Sequence, residues 1–170
     1  RELMRITAIT DVYEPGSTFK MLTCAFFGHR EILLPDIPQK LDAALSLLLA
    51  RDTAFCFLVG GMGEFDAMAA QAVRRAKRRE PQKQIALHLV LPYMESRLNR
   101  FPDEYRARFD EIYIPAGLAD VYFKRAIPLR NRWMVDQAAV VVACVYRDFG
   151  GARAALEYAR QRGKEILALA

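Results

Sequence analysis

The chain has 170 residues, of which 53% are hydrophobic and 26% charged, and a net charge of +5. This fits one globular domain with a sizeable core and excludes a disordered chain. No apolar run nears the roughly 18 residues of a membrane span, no secretory pattern opens the chain, and Cys24, Cys56 and Cys144 lie too far apart for a zinc site or disulfide framework, so they read as buried thiols of a cytoplasmic protein.

Residues 1–20 are polar, contain Pro15–Gly16 and show no periodic face. Residues 23–27 form a short apolar run that ends in Gly28, a strand closing in a tight loop. Residues 41–50 carry Leu41, Ala44, Leu45 and Leu48 on one helical face. The apolar strand 54–59 runs into Gly60-Gly-Met-Gly63, and residues 64–79 then read as a helix with Phe65, Met68, Ala69, Ala72 and Val73 inward. Its last turns carry Arg74, Arg75, Lys77, Arg78 and Arg79, a solvated helix end that suits the dipole or else a nucleic-acid patch without interleaved aromatics. A strand over 84–91, a short helix over 102–109 and a brief strand over 111–114 follow. Residues 129–137 read as a helix opened by Arg130, Asn131 and Arg132, with Asp136 capping or pairing locally, and residues 138–145 as a strand buried on both faces. After Gly150–Gly151 come a helix over 152–162, ended by Gly163, and a last strand over 165–169. No internal repeat interrupts this order.

Apolar strands alternating with helices predict a single α/β domain with a mostly parallel sheet and helices on both faces. Ligands in such folds sit beyond the carboxyl ends of the strands. Three of those ends carry glycines: Gly28, then Gly60, Gly61 and Gly63, then Gly150 and Gly151. Glycine lets backbone amides approach a phosphate closely, and the following helix N-terminus favours its charge. The dinucleotide fingerprint G-x-G-x-x-G is absent, which argues against a dehydrogenase. Arg30 is placed to clamp a phosphate or carboxylate, and His29 to do acid–base work or stack on a base, unless the pair only caps a helix. Asp66 either caps its helix or holds a ribose hydroxyl. Arg130 stands within reach of the last glycine loop. His88, alternating within an apolar strand, reads as structural.

The segments Phe27-Gly-His-Arg30, Gly60-Gly-Met-Gly-Glu-Phe-Asp66, Leu91-Pro-Tyr93, Arg130-Asn-Arg-Trp-Met-Val-Asp136 and Gly150-Gly151 with Leu156-Glu-Tyr-Ala159 resemble, in order and separation, the YpsA-like branch of the SLOG superfamily. The resemblance covers about residues 21–170. The superfamily takes its name from the Smf/DprA DNA-processing proteins and the LOG phosphoribohydrolases. It implies a Rossmann-like fold, a nucleotide-related ligand over the glycine loops, and a sensor or binding role more than an established reaction. Carried over by position, Gly28, His29, Arg30, Gly60, Gly61, Gly63, Asp66, Arg130, Asn131, Gly150 and Gly151 become the ligand-binding candidates. Arg130 and Glu157 stand as catalytic candidates, since the LOG enzymes pair an arginine with a glutamate to cleave an N-glycosidic bond. Their Pro-Gly-Gly-x-Gly-Thr-x-x-Glu loop is here Phe149-Gly-Gly-Ala-Arg-Ala-Ala-Leu-Glu157, and Glu157 is in register only if the glycine pairs align directly.

Thr10-Asp-Val-Tyr-Glu-Pro-Gly-Ser-Thr-Phe-Lys20 resembles the nucleophile segment of penicillin-binding transpeptidases, with Ser17 and Lys20 in the serine and lysine positions. The partner motifs are absent, so residues 1–20 are expected to be an appended, inert segment ahead of the domain at 21–170.

Three readings follow. The first is binding or sensing of a nucleotide-related ligand, such as ADP-ribose, NAD or a nucleoside monophosphate, with no cofactor or metal required and phosphate on the amides near Gly60–Gly63 and Gly150–Gly151. The second is a phosphoribohydrolase or other nucleotide hydrolase. The third is a DprA-like DNA-binding module using Arg74 to Arg79. No membrane partner is expected, and a homo-oligomer is compatible with all three.

Overall fold

The computed structural model describes residues 21–170 and the backbone of residues 7–9. A seven-stranded parallel sheet carries the fold. Its strands are β1 (Thr7–Ile9), β2 (Leu22–Gly28), β3 (Ala54–Val59), β4 (Gln84–Val90), β5 (Glu111–Pro115), β6 (Val140–Cys144) and β7 (Glu165–Ala168). The helices are α1 (Ile37–Leu49), α2 (Glu64–Arg79), α3 (Ser96–Arg100), α4 (Pro102–Arg108), α5 (Phe123–Gln137) and α6 (Gly151–Gln161). The expected Rossmann-like α/β architecture in a single domain is what forms. Ser17 and Lys20 lie outside the described residues; the backbone of 7–9 pairs with β5, Thr7 opposite Tyr113.

Alternation along the strands divides the core in two. Cys24 and Phe26 of β2, with Phe55 and Phe57 of β3, pack beneath α1 and α2. The intervening Ala25 and Phe27, with Cys56 and Leu58, face Met134, Val135, Ala155 and Ala159 of α5 and α6. All six residues of β3 and all five of β6 are buried, as their unbroken apolar runs require in a sheet covered on both sides. The three cysteines are buried free thiols. Among the described residues no helix is long and apolar enough to cross a membrane.

Several boundaries differ from the sequence expectation. Helix α1 starts at Ile37, four residues early, because Ile37 is fully buried and a proline suits the first turn. Helix α5 starts at Phe123 and carries Pro128 inside it, so Arg130 sits mid-helix and does not open it. A proline costs the helix one backbone bond and usually marks a boundary; here the helix runs through. Helix α3 was not expected. Strand β6 starts two residues late, since the Ala138 N–H caps α5 through the Met134 and Val135 carbonyls.

His88 is structural, as expected. Its Nδ1 lies 2.8 Å from the Tyr113 hydroxyl and 3.5 Å from the Cys56 Sγ, and burial pulls its pKa down to about 4. The basic end of α2 is partly paired, Arg75 to Asp42 at 2.9 Å and Lys77 to Asp110 at 2.8 Å. Asp136 pairs locally, accepting from the Tyr158 hydroxyl at 2.9 Å and from Arg162 at 3.2 Å.

Candidate functional site

The strand order β1-β5-β4-β3-β2-β6-β7 reverses direction at β2. From β2 the chain steps outward through β3, β4 and β5, then returns across the sheet to place β6 on the other side of β2. Connections leaving β3 and β6 therefore diverge, and a crevice opens at the carboxyl end of β2. It holds a cavity of about 350 Å³. One wall is Phe27, Gly28, His29 and Arg30; a second is Gly60, Met62 and Asp66. The third comes from α5 through Ile127, Arg130, Asn131 and Met134, and the fourth from Arg147 and the turn 149–152. The fold thus gathers nine sequence candidates around one cavity. Gly61, Gly63 and Glu157 do not line it.

Arg130 forms the floor. It is 3% exposed, and its Nη1 donates to the carbonyls of Gly60 at 3.0 Å and Val90 at 2.7 Å. Its Nε donates to the Asn131 Oδ1 at 2.9 Å. A β-carbon at residue 60 would sit 2.9 Å from the Arg130 Cζ, so only glycine lets the guanidinium lie against the strand end. Burial disfavours its charge, while Asp66 and Glu95 favour it. Arginine stays ionised in such surroundings. Most of its donors are spent on the protein, so it organises the strand ends and supplies charge more than it clamps a ligand.

Asp66 lies in the first turn of α2, and its Oδ2 accepts the Met62 N–H at 2.8 Å. Burial raises its pKa to about 6, against the pull of the Met62 N–H, Arg130 and Arg30. The Glu64 N–H is likewise committed, to the Arg30 carbonyl at 2.8 Å. The first glycine loop therefore presents a carboxylate to the cavity, with two of its amides already used. That is a poor phosphate seat and a good partner for a hydroxyl or an amino group.

The second glycine loop has the opposite character. Gly150 caps α6 with φ 98°, a left-handed turn that glycine adopts without strain. No acidic residue stands in the first turn of α6, and the first helical backbone bond is from the Ala154 N–H to the Gly150 carbonyl. The preceding amides are thus unused and point out of the helix end, where the dipole favours an anion. A β-carbon at residue 151 would meet only the Asn131 Nδ2, at 3.9 Å. With its Oδ1 held by Arg130, Asn131 turns its amide donor toward this turn. Arg30 and Arg147 complete a donor-rich wall.

His29 is 7% exposed and touches the same turn from behind. Its Nε2 accepts the backbone N–H groups of Tyr146 at 3.1 Å and Arg147 at 3.2 Å. Both are donors, so Nε2 is unprotonated and the hydrogen rests on Nδ1. Burial and the Arg147 charge lower its pKa. The Tyr146 ring meets the imidazole edge-on at 4.6 Å, and its hydroxyl donates to the Glu31 carbonyl at 2.7 Å. His29 braces the loop that follows β6 and caps no helix there.

Glu157 lies on α6 outside the cavity, bound to Arg153 and Arg160 at 2.8 Å each. Among the described residues, Asp66 is the one carboxylate in the lining, and none of those lining it is a serine, threonine, cysteine or lysine. Sequence reasoning missed Met62, Ile127, Met134, Arg147 and Phe149. Arg147 had a readable signal, an arginine just after a buried strand and before a glycine pair. Phe149 is 70% exposed at the cavity mouth.

No family model matches the chain, and no curated protein matches it. Among solved structures, DNA processing protein A from Helicobacter pylori, described for its single-stranded DNA binding mode, is similar in fold with a TM-score of 0.60 at 16% identity. The match covers 86% of this chain and 64% of that protein, so the chain spans less than two thirds of its structural relative. At that identity the likeness establishes a shared Rossmann-like fold.

Proposed function

We propose that this domain binds a nucleotide-type ligand, its phosphate on the Gly150–Gly151 turn and a sugar or base hydroxyl on Asp66. One observation carries the reading: the unused amides of α6, with no acidic residue in that helix's first turn, open into the same cavity as Arg30, Arg147 and the Asn131 amide. The volume, about 350 Å³, lies at the lower end of the range for small-molecule sites, as a mononucleotide needs. Nucleoside monophosphates, ADP-ribose and NAD are the ligands to try. The role is binding or sensing, in keeping with the YpsA-like branch of the SLOG superfamily. Hydrolysis through Arg130 and Glu157 has less support, because Arg130 is spent on carbonyls and Glu157 lies outside the cavity.

A thermal shift of the whole chain against these nucleotides, with Gly151→Asp beside it, tests the reading. Residue 151 has room for a side chain, and a carboxylate at a helix N-terminus costs no stability. Saturating ligand raises the melting temperature of the native chain, by about 2.7 kcal/mol of stabilisation at 100 times Kd, and not that of the variant. No rise with any nucleotide, or an equal rise in both proteins, overturns it.

A second reading makes the bound nucleotide one unit of a DNA single strand. Two observations favour it: the fold likeness to a protein that binds single-stranded DNA, and the exposed Phe149 beside Arg147, a platform on which a base can stack. Displacement of an oligothymidylate by the preferred nucleotide would support it. Residues 1–20 are read as appended to this domain. Their three described residues sit at the sheet edge, and deleting 1–20 is expected to leave nucleotide binding intact.

A further inference from the structure

A second hollow, of about 220 Å³, lies where the last turns of α2 and α4 meet. Among the described residues its wall carries Arg74, Lys77, Arg78, Arg106 and Arg108 against one carboxylate, Asp110. Helix α2 joins the two hollows: Asp66 lines the first and Arg78 the second, about 18 Å apart along the axis. This site is therefore separate from the nucleotide cavity, and nothing below rests on that cavity's reading.

Cations at helix ends are commonplace, so the balance of charge decides. Asp110 is committed: its Oδ2 accepts the Leu87 N–H at 2.7 Å and Lys77 at 2.8 Å. The C-termini of α2 and α4 contribute roughly half a negative charge each. Leaving Arg106 aside, Arg74, Lys77, Arg78 and Arg108 remain in excess by about two charges. Among the described residues the Arg78 and Arg108 side chains make no ion pair. Arg74 is turned inward, its Nη1 donating to the Arg108 carbonyl at 3.4 Å, and burial together with Arg108 and Arg78 disfavours its charge. An incoming anion relieves that repulsion.

Four of the five cations are arginines, whose planar forks match the paired oxygens of phosphate. The hollow is too small for a peptide element and large enough for adjoining phosphate groups. We infer that this hollow is a binding site for closely spaced phosphates, those of a nucleic-acid strand or of an inorganic polyphosphate.

The test is fluorescence anisotropy of a labelled oligothymidylate with the whole chain, with tripolyphosphate, AMP and polyglutamate as competitors. The variant is Arg78→Glu with Arg108→Glu; the milder pair Arg78→Ala with Arg108→Ala stands in if the first melts lower. The expected result is at least tenfold weaker binding in the variant and a log–log salt slope shallower by about two, with the nucleotide thermal shift unchanged. Tight binding of the oligonucleotide with weak competition by tripolyphosphate identifies a strand as the source, and the reverse identifies polyphosphate. The inference is overturned if neither binds at low salt, if polyglutamate competes as well as either, or if Gly151→Asp or AMP abolishes binding while the arginine variants leave it unchanged. That last result would give the strand to the nucleotide cavity.

Discussion

His29 holds Tyr146 by its backbone: the imidazole Nε2 accepts the Tyr146 N–H at 3.1 Å and, beside it, the Arg147 N–H at 3.2 Å. The bond exists only while Nε2 is unprotonated. The folded protein lowers the His29 pKa below its ordinary 6.5, so the neutral form is favoured in the fold. The stability it contributes is whole above pH 6.5 and is lost as pH falls through the lowered value. His29→Ala is expected to cost about 1–3 kcal/mol at pH 7.5, from two amides left without an acceptor, and less at pH 5. Urea denaturation at both pH values reads this, and an equal loss at each would sink it.

Removing the guanidinium in the cavity floor strands the Gly60 and Val90 carbonyls and leaves Asp66 without its nearest buried counter-charge. Arg130→Met is therefore expected to destabilise by about 3–5 kcal/mol, the range for breaking a buried charge's partnership. Arg130→Lys keeps the charge but not the fork and should fall between. Denaturant midpoints without ligand measure both; a small loss for Arg130→Met would return this arginine to the role of ligand clamp.

Asp66 acts with the opposite sign to His29. Its pKa rises from 3.8 to about 6 on folding, so the fold favours the protonated acid. Its favourable contribution is fully present below pH 3.8 and is lost as pH rises through about 6. Asn keeps an oxygen for the Met62 N–H and never ionises. Asp66→Asn should thus gain on the native chain between pH 4.5 and pH 8 by about 2–3 kcal/mol, two pKa steps at 1.36 kcal/mol each. Stability curves of the two proteins that run parallel across this window would show that Asp66 does not titrate there.

Phe149 is exposed and makes little of the core, so Phe149→Ala should leave the melting temperature unchanged. If a base stacks there, affinity for a nucleoside monophosphate falls by about 1–3 kcal/mol, while affinity for ribose 5-phosphate stays the same. Calorimetric titration with both ligands separates the outcomes, and equal weakening for both would place the ring against the phosphate turn instead.

The layered fold was legible because unbroken apolar runs such as 54–59 and 140–144 leave a strand no exposed face, and because glycines stand where such strands end. The turn at Gly150 was legible for the same reason. The start of α5 was not: Pro128 looks like a boundary, and only packing against the sheet carries the helix through it. Nor was the fate of Arg130, since the carbonyls that hold it come from Gly60 and Val90, 70 and 40 residues away in the chain. The motif located this arginine without saying how much of it a ligand could use. What His29 holds was not legible either, because its two backbone partners lie 117 and 118 residues later.

Because β6 comes home to β2 only after the chain has completed β5, the cavity has no existence in the first two thirds of the sequence. Strands β2 to β5 can pair among themselves, but Arg130, Arg147 and the Gly150 turn arrive with the return. The contacts closing the cavity are of high sequence separation and are among the slowest to form. A chain interrupted before β6 would hold five of the seven strands, an open flank and no cavity, so protection of the cavity residues during synthesis reports the arrival of β6 and the Gly150 turn.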